Sequence, residues 1–187
     1  MLRPGAVEWG SFVHRPDSDI CPKRASTRST DAMSFDEARA GRSDPMGLAL
    51  AEARAAASRG EVPVGAVIVR DGAVIAAAGN RPRELHDPTA HAEILAVRRA
   101  CESLGDERLT GCDLYVTLEP CTMCAAAIAF ARIRRLYFGA YDPKGGAVES
   151  GVRFFAQPTC HHAPEVYGGL RESEAATLLR RFFGGRR

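Results

Sequence analysis

The sequence DLYVTLEPCTMC occupies residues 113–124 and joins a strand pattern to the start of a helix. The run Asp113–Leu118 predicts a strand, and Pro120 suits the first position of the helix that should follow. We expect this helix to continue to about Ala131. Because Met123–Ala131 is apolar throughout, we expect the helix to be buried on every side.

Strand and helix patterns alternate on both sides of this stretch. Further helices are predicted at Met46–Arg59, at Ala90–Leu104 with Thr89 as its cap, and at Arg171–Phe183. Further strands are predicted at Val62–Val69, at Ala73–Ala78 after a turn at Asp71-Gly72, at Arg135–Ala140, and at the short edge Glu165–Gly168. This alternation predicts an α/β fold with helices on both faces of one sheet.

Length and composition narrow the class of protein. The chain has 187 residues with a net charge of +2, which suits one globular domain and does not identify a nucleic-acid binder. Its longest apolar run, Met123–Ala131, is far shorter than the ~20 residues of a membrane span. The N-terminus has no apolar segment typical of a secretory signal. We therefore expect a soluble, cytoplasmic protein without membrane partners.

The first 45 residues differ from the rest of the chain. They contain four prolines and many serines and threonines, but no sustained apolar period. We interpret residues 1–45 as a poorly ordered extension and residues 46–187 as the functional domain. A start codon assigned too far upstream, with Met33 or Met46 as the true start, would explain the extension equally well.

Six cysteines in a chain of this length favour metal binding or burial over a disulfide framework. His91-Ala92-Glu93 and Pro120-Cys121-Thr122-Met123-Cys124 each lie at a predicted helix start. Cys121 and Cys124 are three residues apart, so their sulfurs can converge on one ion, and helix N-termini favour thiolates. His91 can supply a third ligand, which predicts a zinc site.

Three protein ligands leave one position for water, as in catalytic zinc sites. Of the other candidates for a fourth ligand, Cys101 lies ten residues after His91 along the predicted helix and should face the core. The rest have no fixed spacing to the site: His86, Cys112, Cys160, His161 and His162. Glu93 could be a ligand, but as a proton carrier for a zinc-activated water it fits the three-ligand set better. A closed, non-catalytic zinc module remains the alternative, and it would require a fourth protein ligand.

These motifs resemble the zinc-dependent cytidine deaminase superfamily, and within it the bacterial tRNA-specific adenosine deaminases. The resemblance covers roughly Pro45 to Phe183. It rests on residues 61–67, 80–82, 86–93, 115–124 and 138–144, and on Phe182-Phe183. It implies His91, Cys121 and Cys124 as zinc ligands and Glu93 as the general acid and base.

The resemblance also implies roles on the substrate side. Asn80 matches the residue that hydrogen-bonds the flipped base, Asp142 matches a residue near the substrate ribose, and Lys144 lies in the same loop. Taken without the resemblance, Asn80 and Asp142 are ordinary turn residues. His161-His162 departs from the family pattern, which tends to have an Asn-His pair there.

The implied fold is a cytidine-deaminase-like α/β/α sandwich around a five-stranded mixed sheet, usually in a homodimer. The implied reaction is hydrolytic deamination of adenosine to inosine at the wobble position of tRNA, with one Zn²⁺ per subunit and the anticodon stem-loop as partner. No DNA partner is expected. A deaminase of a free nucleobase or nucleoside, of the guanine or cytosine class, is the alternative, because it would use the same zinc machinery.

Overall fold

The computed structural model describes residues 44–185. The interpretation of residues 1–45 as a poorly ordered extension therefore concerns residues that lie almost entirely outside the described range. Its last two residues are described, and they belong to the domain. Asp44 caps the first helix by accepting the Gly47 N–H at 2.8 Å, and Pro45 is the first helical residue.

The described chain alternates helices with strands as predicted. The helices are α1 (Pro45–Ser58), α2 (Ala92–Leu104), α3 (Thr122–Phe130) and α4 (Glu172–Gly184). The strands are β1 (Gly65–Arg70), β2 (Ala73–Gly79), β3 (Cys112–Leu118), β4 (Arg135–Ala140) and β5 (Glu165–Tyr167). A short 3₁₀ turn, Phe154–Ala156, lies between β4 and β5.

The five strands form one mixed sheet in the order β2-β1-β3-β4-β5. β1 is antiparallel to β2 and β3, whereas β3, β4 and β5 run parallel. The register pairs Leu118 with Ala140 and Gly65 with Gly79. The segments that follow β2, β3 and β4, and the one that precedes β1, therefore meet at the same edge of the sheet.

Helices cover both faces of this sheet, which confirms the three-layer α/β/α fold. Ala66 and Ile68 of β1 pack in a core with residues of α2 and α3. Val67 and Val69 point the other way and pack with residues of α1 and α4. The alternation follows from the period of two along a strand.

Two predicted helix starts were wrong. Thr89 does not cap α2, because its N–H and hydroxyl both donate to Asp87 Oδ1 at 2.7 Å. Pro120 does not open α3, because its carbonyl accepts the Ala147 N–H at 2.9 Å and keeps the chain extended through Cys121. Each helix instead begins directly after a predicted metal ligand, His91 or Cys121.

The prediction that α3 is buried on every side was also wrong. Cys124, Ala125 and Ile128 are buried, but Phe130 is 74% exposed. One apolar face of α3 is therefore open to solvent. Within residues 44–185, no helix has both the length and the hydropathy that a membrane crossing requires.

Candidate metal centre and substrate cavity

The three predicted ligands come together between the starts of two helices. His91 precedes α2, Cys121 precedes α3, and Cys124 lies in the first turn of α3. His91 Nδ1 is 3.7 Å from Cys121 Sγ and 3.5 Å from Cys124 Sγ, and all three atoms lie within 4.8 Å of one another. Because β1 is antiparallel to both β2 and β3, the segments that follow β2 and β3 bring these distant residues to one edge of the sheet.

These distances fit a tetrahedral zinc ion. Zinc bonds of about 2.3 Å to sulfur and about 2.0–2.1 Å to nitrogen place the two ligand atoms about 3.6 Å apart. Among residues 44–185, the group consists of His91, Cys121 and Cys124, without a fourth His, Cys, Asp or Glu. The other candidates have different surroundings: Cys160 Sγ lies 3.1 Å from His162 O, and His162 Nε2 lies 2.7 Å from Ile133 O.

The hydrogen bonds of the group favour the thiolate form of one of its two cysteines. The Cys124 thiol donates to Cys121, which lowers the pKa of Cys121 to about 4, although burial opposes this shift. The same hydrogen bond, together with burial, raises the pKa of Cys124. The pKa of His91 is raised, chiefly by its hydrogen bond with Cys121. The pair therefore holds a thiolate at a helix start, which is the form that binds metal.

Glu93 lies in the first turn of α2 and faces the same space, with only 4% of its surface exposed. Burial raises the pKa of its carboxyl, against its own backbone N–H and the nearby His91, which both lower it. A carboxyl with a raised pKa can both accept and return a proton near neutral pH. Glu93 is not part of the ligand group, which agrees with the proton-carrier interpretation.

A cavity of about 220 Å³ opens beside the metal group at the edge of the sheet. Its polar wall consists of Asn80, His91, Glu93, Glu119, Cys121 and Asp142, and its apolar wall includes Val62, Val64, Pro82 and Leu118. A flat ring with polar edges fits a space of this kind.

Asn80 follows β2 and is 7% exposed. Its Oδ1 accepts the N–H of Ala92, the first residue of α2, at 2.7 Å. The cap that the sequence assigned to Thr89 therefore comes from Asn80, twelve residues before the helix. Because Oδ1 is engaged, the side-chain NH₂ is the group left to donate to a ligand in the cavity.

Asp142 and Lys144 occupy different positions relative to the cavity. Asp142 lines it, and its Oδ1 accepts the N–H groups of Lys144 and Gly145, both at 3.0 Å. Lys144 is exposed and does not line the cavity. The structure thus brings Asn80 and Asp142 to the metal group and leaves Lys144 on the outer side of the loop.

Two buried carboxylates at this edge had no role assigned from the sequence. Glu61 and Glu119 are each only 2% exposed. Glu61 Oε1 accepts the N–H groups of Arg83 at 3.0 Å and Glu84 at 2.9 Å. Burial raises the pKa of Glu119, but N–H groups from Ser150 and Asp142 outweigh it, so the net shift is downward. A single sequence carries no signal for partners more than twenty residues away.

Comparisons with known proteins bear on what this site does. The model of the MafB19-like deaminase family matches residues 42–164. A tRNA-specific adenosine deaminase of Agrobacterium fabrum is 74% identical over 142 residues, which cover 76% of this chain and 93% of that protein. A tRNA-specific adenosine deaminase of Rickettsia bellii is 47% identical over 137 residues, covering 72% of this chain and 94% of that protein.

Two solved structures of deaminases are also similar to this chain. A structure from a study of A-to-I editing by tRNA:A34 deaminases at the wobble position is 75% identical, with a TM-score of 0.72, and covers 72% of this chain and 98% of its own. A guanine deaminase from Nitrosomonas europaea is 26% identical, with a TM-score of 0.66, and covers 75% of this chain and 83% of its own.

Proposed function

The chain belongs to the tRNA-specific adenosine deaminases of the MafB19-like deaminase family, and we propose that it converts adenosine to inosine at the wobble position of tRNA. In this reaction water adds at C6 of the base and ammonia leaves. The observation that carries the proposal is the cavity that holds a three-residue metal group beside the buried carboxyl of Glu93. We propose residues 46–187 as the deaminase domain, with Asp44 and Pro45 completing the start of its first helix.

His91, Cys121 and Cys124 hold the metal, and their donor set, one imidazole and two sulfurs, favours zinc. Bound zinc would supply Lewis acidity, which lowers the pKa of water from about 15.7 to about 7. Glu93 accepts the proton that water gives up and returns it to N1 of the base. The raised pKa of Glu93 suits both transfers, because the carboxyl must be a base and then an acid in one turnover.

Asn80 and Asp142 bind the substrate. The Asn80 NH₂ donates to the base, since its Oδ1 is fixed by the Ala92 N–H. Asp142 also lines the cavity, where it can meet the ribose. Lys144, exposed on the same loop, is placed for a phosphate.

An anticodon stem-loop is a suitable partner, because the unpaired bases of a hairpin loop leave their stack at low cost. The net charge of +2 does not indicate a general affinity for nucleic acids, and we expect no DNA substrate. We propose a cytoplasmic location, because tRNA is the proposed substrate.

The open face of α3 supports a homodimer. Phe130 is 74% exposed there, beside a small cavity of about 110 Å³ that Ala126, Ala129 and Phe154 also line. A large apolar side chain in such a position is typical of a subunit interface. We propose that a second copy of the chain covers this face.

The function is tested by incubating the purified protein with tRNA that carries adenosine at the wobble position and sequencing the product. Inosine is expected from zinc-loaded protein and should disappear after treatment with a chelator. Free guanine and cytosine are assayed in parallel, because the chain is also similar, at 26% identity, to a guanine deaminase. Deamination of free bases without inosine in tRNA would reject the proposal.

A further inference from the structure

The carboxylate of Glu119 accepts hydrogen bonds from the loop 142–150, which forms one rim of the cavity. Its Oε1 accepts the N–H groups of Val148, Glu149 and Ser150 at 3.1, 2.9 and 2.7 Å. Its Oε2 accepts the Asp142 N–H at 3.0 Å and the Ser150 hydroxyl at 2.8 Å. Five donors from both ends of the loop 142–150 therefore converge on a single buried side chain.

The loop is shaped to admit this carboxylate. A Cβ on Gly146 would lie 2.5 Å from Glu119 Cδ and 2.6 Å from Oε2, so only glycine allows the approach. Gly146 also forms an isolated bridge with Cys121, and the Ala147 N–H donates to Pro120 O at 2.9 Å. The side chain is enclosed by the loop that it holds.

The backbone of Glu119 is fixed independently of the loop. It follows β3 directly, and its N–H donates to Ala140 O, at the end of β4, at 2.8 Å. Two residues further on is the metal ligand Cys121. Glu119 is therefore a rigid point that relates the loop to the metal group.

We propose that Glu119 is a positioning residue that sets the place of Asp142 in the rim and thereby the binding of the RNA substrate. Glu119 acts through Asp142, and it transfers no proton itself. This inference rests on the proposed function, since the ligand of Asp142 is taken to be the ribose of the target nucleotide.

Glu119→Gln tests the proposal with little change in shape. The amide has a single oxygen, which takes the place of Oε1 because three N–H groups donate there. The amide NH₂ therefore takes the place of Oε2. The Ser150 hydroxyl can accept from this NH₂, but the Asp142 N–H cannot and loses its partner. The variant therefore releases Asp142 selectively and leaves most of the loop bonded.

Loop position is measured first, without RNA, by amide hydrogen exchange in the zinc-loaded protein. Exchange at Asp142 is expected to accelerate about tenfold or more in Glu119→Gln, and to stay unchanged in Glu102→Gln, an exposed carboxylate on α2. Unchanged exchange at Asp142 would overturn the proposal, whether or not the protein deaminates tRNA.

Substrate binding is measured next with an anticodon stem-loop. We expect KM to rise about tenfold in Glu119→Gln while kcat changes less than about threefold, because leaving the partly buried Asp142 N–H without a partner costs roughly this much. Zinc content should remain that of the wild type. An unchanged KM, or a loss of zinc with a fall in kcat alone, would overturn the proposal.

A double-mutant cycle with Asp142→Ala separates positioning from general stability. If Glu119 acts through Asp142, the double variant binds RNA as weakly as Asp142→Ala alone, to within about twofold. Additive losses would overturn the proposal. If Glu119→Gln does not fold, Glu119→Asp provides the same tests, because it keeps the charge but shortens the side chain by one carbon and so withdraws the carboxylate from its donors. Wild-type protein that forms no inosine would contradict the proposed function. The exchange experiment would still show whether Glu119 holds Asp142 in place.

Discussion

The metal group and the rim of the cavity are built on different principles. His91 occurs in one short motif and Cys121 and Cys124 in another, and each motif lies at the start of a helix. The rim loops are instead held by Glu61 and Glu119, whose partners lie 22 to 31 residues away. Both regions therefore depend on the assembled sheet, but the metal ligands lie in two recognisable local motifs, whereas no local motif marks the partners of the rim carboxylates. Substitutions in the first should abolish chemistry, and substitutions in the second should weaken binding.

The largest effect is expected from removing a metal ligand. Cys124→Ala should reduce bound zinc to below about a tenth of an ion per chain and abolish inosine formation, because two ligands hold zinc poorly. Metal analysis and the tRNA assay measure both. Cys101→Ala, a cysteine outside the metal group, should keep its zinc. A Cys124→Ala protein that retained zinc and activity would show that the ligand set is wrong.

Glu93→Ala should lower kcat by about 10²–10⁴-fold, the usual contribution of general acid–base catalysis. Zinc content should not change, since Glu93 lies outside the ligand group. Single-turnover formation of inosine measures the rate, and Glu102→Ala on the exposed side of α2 is the matched control. Retained turnover would refute the proton-carrier role.

On the rim, Glu61→Ala removes the acceptor of the Arg83 and Glu84 N–H groups. We expect KM for the stem-loop to rise several-fold and kcat to change little, because each orphaned N–H costs about 1–3 kcal/mol where it is buried and less where water reaches it. Glu61→Gln should behave as wild type, since both N–H groups donate to the same oxygen, Oε1.

A fall in kcat as large as the rise in KM in the Glu61→Ala protein would contradict the division between the metal group and the rim. A fall in its zinc content would do the same.

The smallest effect is expected from Lys144→Ala. Lys144 is exposed, so removing it should weaken RNA binding only a few-fold. The slope of log K against log salt concentration should fall by about 0.7, the value for one phosphate contact with a single strand. Binding titrations at several salt concentrations measure this slope, and an unchanged slope would remove Lys144 from the RNA interface.

Most of the fold could be predicted because each helix and strand has a recognisable residue pattern of its own. Strands such as Asp113–Leu118 are rich in β-branched and aromatic residues, which favour strands. Their alternation with helices is enough to indicate a layered α/β domain. The grouping of His91, Cys121 and Cys124 could be predicted because each of their two motifs is recognisable locally. The boundaries of α2 and α3 could not, since the Ala92 N–H is capped by Asn80 and the Pro120 carbonyl pairs with Ala147.

The open face of α3 and the role of Glu119 were beyond the reach of the sequence. An apolar run such as Met123–Ala131 does not show which of its sides will find a partner within the chain. Glu119 stands beside Pro120 and Cys121 in the motif, but its five donors become neighbours only when β3 and β4 pair. Such contacts are set by topology and not by residue type.

The central claim is that three residues hold one zinc ion and leave a position for water. X-ray absorption at the zinc edge of the purified protein tests this most directly. We predict one zinc per chain, with two sulfurs at about 2.3 Å, one imidazole nitrogen at about 2.0–2.1 Å and one oxygen from solvent. A sphere closed by four protein sulfur and nitrogen ligands, or a protein that binds no zinc at all, would contradict the claim.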